Sequence, residues 1–370
     1  MVKVSVIIPV YNAADYLNEA IDAVLNQTLD DIEVICVDDG SEDNSLDILK
    51  DIASKDSRVM YFHQENQGGG AARNHALPHA KGKYIYFMDA DDIVDLNALK
   101  ECYDICEEKS LDFVLFKAEN YAEDTGEYFK TSDYSMDEVC DFVGERIFNF
   151  RDLGDLMFKV SVTPWCKMYN REFVLSTNAQ FAEGLIFHDN IFFWDVFLSA
   201  ERIYFYDRYL YTRRRHSASS TGAGDKRYVS SITINNMIIQ KFINHGLFEK
   251  YKKRLYDHKI YLIFHRYSTM REEFREFFYE ELKKDFSKML THELHDEFIS
   301  LIAPNNKKRF EMVVYSRDFR EFDLLYSNLM MSMEKNTLAK ENKKLKGKVK
   351  NYRRLLDKAP VSLFLKVKGK

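Results

Sequence analysis

The chain is poor in the features that mark secreted, disulfide-held or membrane-spanning proteins. Cysteine is scarce: Cys36, Cys102, Cys106, Cys140 and Cys166 are an odd set with no C-x-x-C pair, and Cys102 and Cys106 share one predicted helix. That speaks against a disulfide framework or a zinc site and predicts a reducing compartment. No apolar signal region precedes the first strand. No uncharged apolar run reaches the roughly 18 residues that a membrane span needs. The expectation is a cytoplasmic protein, either soluble or peripheral on the inner face of the cell membrane.

Aromatic residues are abundant, with 28 Phe and 23 Tyr in 370 residues, enough for a sizeable core and two domains or one domain with an appendage. The net charge of −6 hides an asymmetry. From Lys335 to Lys370 there are thirteen Lys and Arg against Glu341 and Asp357, so the tail carries +11 and the body −17. An acidic body argues against a nucleic-acid-binding domain. A basic tail suits an anionic partner such as a lipid surface.

The first third alternates strand and helix. Strands are predicted at Val4 to Ile8, Ile32 to Val37, Val59 to Phe62, Lys83 to Met88 and Phe113 to Phe116. Helices are predicted at Asp15 to Leu25, from Asp43 or Asn44 to Ser54, at Ala71 to Ala80 and at Leu96 to Glu108. Pro9 to Asn12 reads as a turn that stops the first strand. Repeated strand-helix-strand units predict a mainly parallel, doubly wound α/β sheet with flanking helices. Glu119 to Met157 has no clear pattern. A helix is then predicted at Ile191 to Ala200 and a strand at Ile203 to Tyr206, followed by Arg213, Arg214, Arg215 and His216. Lys226 to Leu329 reads as helical, broken at Pro304.

Four strands end in unusual polar residues: Tyr11-Asn12, Asp38-Asp39, Gly68 to Arg73, and Asp89 to Asp92. In a doubly wound sheet all four fall on one edge, where ligands sit. Asp89 and Asp91, one residue apart where the chain leaves the sheet, can turn toward one hard cation such as Mg2+ or Mn2+. The plain alternative is a solvated acidic turn that caps the next helix.

These segments resemble the family-2 glycosyltransferases of the GT-A fold, of the bacterial or archaeal surface-polysaccharide type. The resemblance rests on Val6-Ile7-Ile8-Pro9-Val10-Tyr11-Asn12, Val37-Asp38-Asp39-Gly40-Ser41, Asn66-Gln67-Gly68 with Ala72-Arg73-Asn74, and the D-x-D motif Asp89-Ala90-Asp91-Asp92. It covers Val2 to Cys106 strongly and Thr163 to Ser220 more weakly. It implies a nucleotide-sugar site at Pro9, Tyr11, Asn12, Asp39, Gly68, Arg73, Asp89 and Ala90. Asp39 would accept the uracil N–H, as the matching Asp does in the family; Asp38 is the structural member. Tyr11 either stacks on the base or is a rim aromatic. Arg73 either meets the phosphates or is a surface helix arginine. Asp91 is the candidate direct metal ligand, Asp89 a ligand directly or through water, and Asp92 a cap.

The resemblance also implies a catalytic base at the start of a later helix. Asp189 holds that position, where a helix N-terminus favours the ionised form. Its neighbour His188 stands where the family has Glu. Trp165 is either an acceptor-side residue or a core Trp. Arg213 and Arg214 are candidate diphosphate contacts and His216 a candidate third metal ligand, against a solvated basic loop.

The predicted organisation is a catalytic domain over 1–224, a helical accessory region over 225–333 and a basic tail over 334–370. In the tail, Leu338, Leu345, Val349, Tyr352 and Leu356 form a short heptad with Asn342 in its seam. It suits a parallel homodimer or an amphipathic helix on anionic lipid anchored by Leu363, Phe364 and Leu365; a frayed, solvated tail is the third option. The function expected is a metal-dependent inverting glycosyltransferase. It would move sugar from a nucleotide sugar, by resemblance a UDP-sugar, to a hydroxyl of a glycan or lipid-linked acceptor in surface-polysaccharide synthesis. One rival is a nucleotidyltransferase on a similar sheet, though Pro9 to Asn12 stands where its Gly- and Lys-rich loop belongs. The other is a non-catalytic nucleotide- or glycan-binding module.

Overall fold

The computed structural model describes residues 1–216 and 224–358. Leu363, Phe364, Leu365 and the stretch Ser219 to Ala223 lie outside the described residues. The chain divides into two compact units, Met1–Phe278 and Tyr279–Lys370.

The first unit is built on a nine-stranded sheet. Its strands are β1 (Val4–Val10), β2 (Ile32–Asp39), β3 (Val59–Gln64), β4 (Tyr84–Phe87), β5 (Ile93–Val94), β6 (Phe113–Ala122), β7 (Glu127–Phe129), β8 (Lys167–Asn170) and β9 (Ile203–Arg215). They run in the order β3-β2-β1-β4-β8-β6-β9-β5, with β7 paired to β6. The pairs among β1 to β4 are all parallel, as is β6 with β9, whereas β8 is antiparallel to both its neighbours. This is the mainly parallel α/β sheet with flanking helices, followed by a helical C-terminal region, that the resemblance implies.

Parallel strands covered on both faces read as continuous apolar runs. β2 is buried at all eight positions, Asp38 and Asp39 included. Pairing differs from expectation at Pro9, which stays in β1 opposite Val37, with Val10 opposite Asp38. β4 pairs with β1 only as far as Ile7, so the N–H that proline lacks is not needed by that neighbour. The helix Leu17–Leu25 buries Leu17, Ala20, Ile21 and Val24, a single stripe at helical spacing. Arg213, Arg214 and Arg215 belong to β9 itself rather than to a loop after it, with Arg213 opposite Asn120 and Arg215 opposite Ala122. The five cysteines are free and buried.

The first helices of the accessory region belong to the sheet's unit. The helix Ser230–Asn244 packs against both Phe248–Thr269 and Asp189–Ser199. Phe242 meets Trp194 edge to face at 5.0 Å, and Lys241 Nζ lies 2.6 Å from Asp195 Oδ2. In the second unit, Pro304 opens the helix Pro304–Tyr315, and Tyr279 stacks on Phe322 at 4.7 Å. The long helix Phe319–Lys358 leaves Leu338, Leu345 and Val349 exposed. Among the described residues no helix is long and apolar enough to cross a membrane.

At the sheet edge opposite the polar strand ends, Glu33 Oε1 accepts hydrogen bonds from Ser5 Oγ and the Lys81 N–H, both at 2.6 Å. Glu33 is buried, so Glu33→Ala strands two donors and is expected to cost about 2–4 kcal/mol in urea unfolding, with Glu33→Gln costing clearly less. Equal stability of the two variants would show that this acceptor does not hold the edge.

Candidate active site

The carboxyl ends of β1, β2 and β4 and the turn after β3 converge. After β1, Asn12 takes a left-handed conformation (φ 48°) and is tied to the loop after β2. Its N–H donates to Ser41 Oγ at 3.0 Å, and its Oδ1 accepts from the Glu42 N–H at 2.7 Å. Tyr11 beside it is 48 % exposed and open to a ligand.

Asp39 organises the next turn. Its carboxylate accepts from Gln64 Nε2 and from the N–H groups of Gln67 and Gly68, at 2.7–2.9 Å. Gly68 is left-handed (φ 89°), which glycine adopts without penalty. Asp38 is fully buried and its Oδ2 lies 2.7 Å from His63 Nδ1.

The glycines after Gly68 are needed for a close approach. A Cβ on Gly70 would lie 2.5 Å from the Ala182 carbonyl and 3.1 Å from His188 Cγ. The turn therefore packs directly on the residue before Asp189. Arg73, from the helix Gly69–Ala76, is buried; its guanidinium pairs with Asp89 and donates to the Gly69 carbonyl at 3.2 Å. It is neither the surface arginine nor an open phosphate contact, but the residue that fixes Asp89.

Asp89, Asp91 and Asp92 form an acidic cluster whose ligand atoms all lie within 4.8 Å of one another. Asp92 is the buried member: Oδ2 accepts from Tyr211 Oη at 2.6 Å and Oδ1 from the Arg214 N–H at 2.7 Å. The Asp89 N–H donates to the same Tyr211 Oη at 3.2 Å. His216 Nε2 lies 2.8 Å from Asp91 Oδ2, which brings the candidate third ligand to the cluster. Burial, then its acidic neighbours Asp91 and Asp89, push the Asp92 carboxyl well above the usual range. Burial also raises Asp89; Arg73 opposes this, while Asp91 and Asp189 add to it. An all-oxygen set with an imidazole beside it fits a hard divalent cation, and the crowding is the kind a cation relieves. Ala90, between the two ligand candidates, is buried.

Asp189 opens the helix Asp189–Ser199, and its Oδ1 lies 2.8 Å from His188 Nδ1. Burial opposes its ionisation, yet His188, Arg73 and Lys167 together hold the carboxyl below the ordinary value. Lys167 is fully buried in β8 and donates to the carbonyls of Ser161 and Thr163, both at 2.6 Å.

Two expectations change here. Trp165 is 3 % exposed and stacks on Tyr211 at 4.6 Å, and the Tyr134 ring meets it edge to face at 4.9 Å. It supports the acidic cluster from behind and offers no open face to an acceptor. Arg214 is also engaged by the protein: Nε donates to the Asp91 carbonyl at 2.9 Å and its terminal nitrogen to Glu19 at 2.6 Å. It braces the Asp91 backbone and is not placed to meet a diphosphate. Arg213 faces the other way, donating to Tyr134 Oη at 2.7 Å; burial works to lower its pKa, but Tyr134 and then the three acids outweigh it and raise it. Sequence reasoning missed Tyr211 and Lys167. Tyr211 sits two residues before Arg213 on the same face of β9, a signal available only once the strand is known to run that far.

A family model described as glycosyl transferase family 2 matches residues 5–176. Glycosyltransferase GlyG of Streptococcus pneumoniae is 37% identical over 222 residues, which span 58% of this chain and 72% of that protein. The chain belongs to glycosyl transferase family 2. The cholesterol galactosyltransferase of Borreliella burgdorferi is 30% identical over 245 residues, 64% of this chain and 66% of that protein. Among solved structures, residues 1–349 of Staphylococcus aureus TarS in complex with UDP-GlcNAc align with a TM-score of 0.67 at 20% identity, covering 90% of this chain and 92% of that one.

Tyr211→Phe leaves the Asp92 carboxyl without its hydroxyl donor and the Asp89 N–H without its acceptor, while keeping the ring on Trp165. It should lower stability by about 1–3 kcal/mol, read as a lower Tm. An unchanged Tm would mean that the hydroxyl does not hold the cluster together.

Proposed function

We propose that this family-2 glycosyltransferase is an inverting enzyme that moves a sugar from a UDP-sugar to a hydroxyl of a glycan or lipid-linked acceptor in surface-polysaccharide synthesis. The observation that carries this reading is the meeting of Asp39, the Asp89–Asp92 cluster and Asp189 at one end of the sheet. The UDP-GlcNAc bound by a protein of the same fold supports a UDP-sugar donor.

Tyr11 would stack on the base, with Pro9, Asn12 and Gly68 forming the rim of its pocket, and Asp39, buried under them, would take the uracil N–H. Asp91, with Asp89 and His216, would hold Mn2+ or Mg2+, which when bound neutralises the diphosphate. Arg73 keeps Asp89 oriented toward that charge, and Arg213 adds a cation beside it. The proton of the acceptor hydroxyl passes to the Asp189 carboxylate as the acceptor oxygen bonds to the anomeric carbon. The bond from that carbon to the diphosphate oxygen breaks on the opposite face, which inverts the configuration. His188 holds the Asp189 carboxylate rather than touching the acceptor itself. On this reading residues 1–224 form the catalytic domain, 225–333 an accessory region and 334–370 a basic tail for an anionic membrane surface or a second copy.

A panel of UDP-sugars with Mn2+ or Mg2+, read by release of UDP, tests the activity. Asp189→Asn should lower kcat by about 10²–10⁴ while leaving UDP affinity near wild type. Full turnover by that variant would remove Asp189 from the role of base. EDTA, or Asp91→Ala, should weaken UDP binding by about tenfold or more through loss of the bridging cation. UDP affinity and turnover indifferent to EDTA would rule out the cation.

A further inference from the structure

The helix Phe248–Thr269 brings one cation to the cleft that the reading above does not use. Arg266 lays its guanidinium 4.3 Å from the centre of the Phe187 ring and 5.8 Å from that of Tyr228. Among the described residues its guanidinium makes no hydrogen bond and no ion pair. Its neighbours differ: Arg213 has Tyr134, Arg214 has Glu19, Arg227 has Asp225 and Arg271 has Glu273. Half-buried arginines ordinarily find an acceptor, because a desolvated guanidinium without one is costly. Burial lowers the Arg266 pKa, and Tyr228, Tyr134 and Asp133 only partly restore it.

Its position gives the missing partner a place. Phe187 is two residues before Asp189 and takes a left-handed conformation (φ 64°), an outlier for a bulky side chain. Phe187 and Tyr228 also meet at 5.8 Å, so Arg266 closes a cluster of rings at the loop that leads into Asp189. Stacking uses the faces of a guanidinium and leaves its N–H edge free to grip two oxygens of an oxyanion.

We propose that Arg266 is a substrate-binding residue that grips an anionic group, a phosphate or carboxylate, at the Phe187 and Tyr228 rings, by the loop that leads into Asp189. The proposal rests on reading Asp189 as the place of transfer. The oxyanion comes either from the donor diphosphate or from an anionic acceptor.

The full chain and its Arg266→Gln and Arg266→Lys variants are titrated calorimetrically with UDP and Mn2+. Separately, methyl phosphate is titrated with and without saturating UDP and followed by NMR. Arg266→Gln should weaken one of these by about tenfold, and Arg266→Lys, which keeps the charge but not the planar edge, by less. Loss in the UDP titration assigns the group to the donor diphosphate. Loss confined to methyl phosphate assigns it to the acceptor. Affinities of Arg266→Gln within twofold of wild type in both titrations overturn the proposal. A wild-type chain that binds methyl phosphate through Arg266 but no UDP would leave Arg266 standing and refute the nucleotide-sugar reading instead.

Discussion

Four carboxylates, those of Asp89, Asp91, Asp92 and Asp189, act on one another at one end of the sheet, and much of the surrounding structure serves to keep them there. Like charges this close destabilise the compact state unless each is protonated, paired or hydrogen-bonded. The protein uses a different device for each. Asp92 is turned inward onto a tyrosine hydroxyl and a backbone N–H. Asp89 receives a buried arginine. Asp91 faces His216, and its backbone is braced by Arg214. Asp189 has a histidine beside it and a buried lysine behind. Apart from His188 and His216, these supports come from β8, β9 and the helix Gly69–Ala76, so the acidic cluster also ties together segments that are far apart in sequence.

The parallel strands and their polar ends were legible because the signals are local. A run of Val and Ile that ends in Asp-Asp-Gly or Asp-Ala-Asp-Asp announces both a buried strand and its open edge. The same locality explains the failures. β9 continues through three arginines, a composition with no strand signature. Arg214 is stable there because Glu19, from a helix nearly two hundred residues earlier, takes its charge. Tertiary pairing overrode propensity. β8 is four residues long, and its antiparallel place between β4 and β6 is set by partners that no periodicity reveals. Tyr211 and Lys167 stayed hidden for this reason, since each acts through a neighbour brought in by the sheet. Trp165 stayed ambiguous until its stacking on Tyr211 was known.

The segment after β9 reads in the sequence only as helical, and its packing shows what it does for the sheet. The helix Asp189–Ser199 buries Ile191, Phe192, Phe193, Trp194, Val196, Phe197 and Leu198, more than one face of a helix. A helix apolar nearly all round must be covered on several sides. Phe181 stacks on Phe192 at 4.3 Å from one side, and Phe242 closes on Trp194 from another. The helix that carries Asp189 therefore depends for its cover on residues from the accessory region.

This cover bears on how the acids divide their roles. Where environments push the pKa values of neighbouring acids apart, the acids can do different work in one cleft. Asp89 and Asp92 are both raised, chiefly by burial and then by acidic neighbours, Asp91 acting on each of them. Asp189 shares that low-dielectric setting, yet it is lowered, because His188, Arg73 and Lys167 outweigh the burial. A raised, crowded pair gains most from an added cation, and a lowered carboxylate is ionised and ready for a proton. Arg73 acts on both sides of this division: it pairs with Asp89 and favours the ionised Asp189. The glycine turn before it lets the backbone reach His188 with no Cβ in the way. The two halves of the site are thus set against each other by one helix turn, the one that Gly68 to Gly70 open.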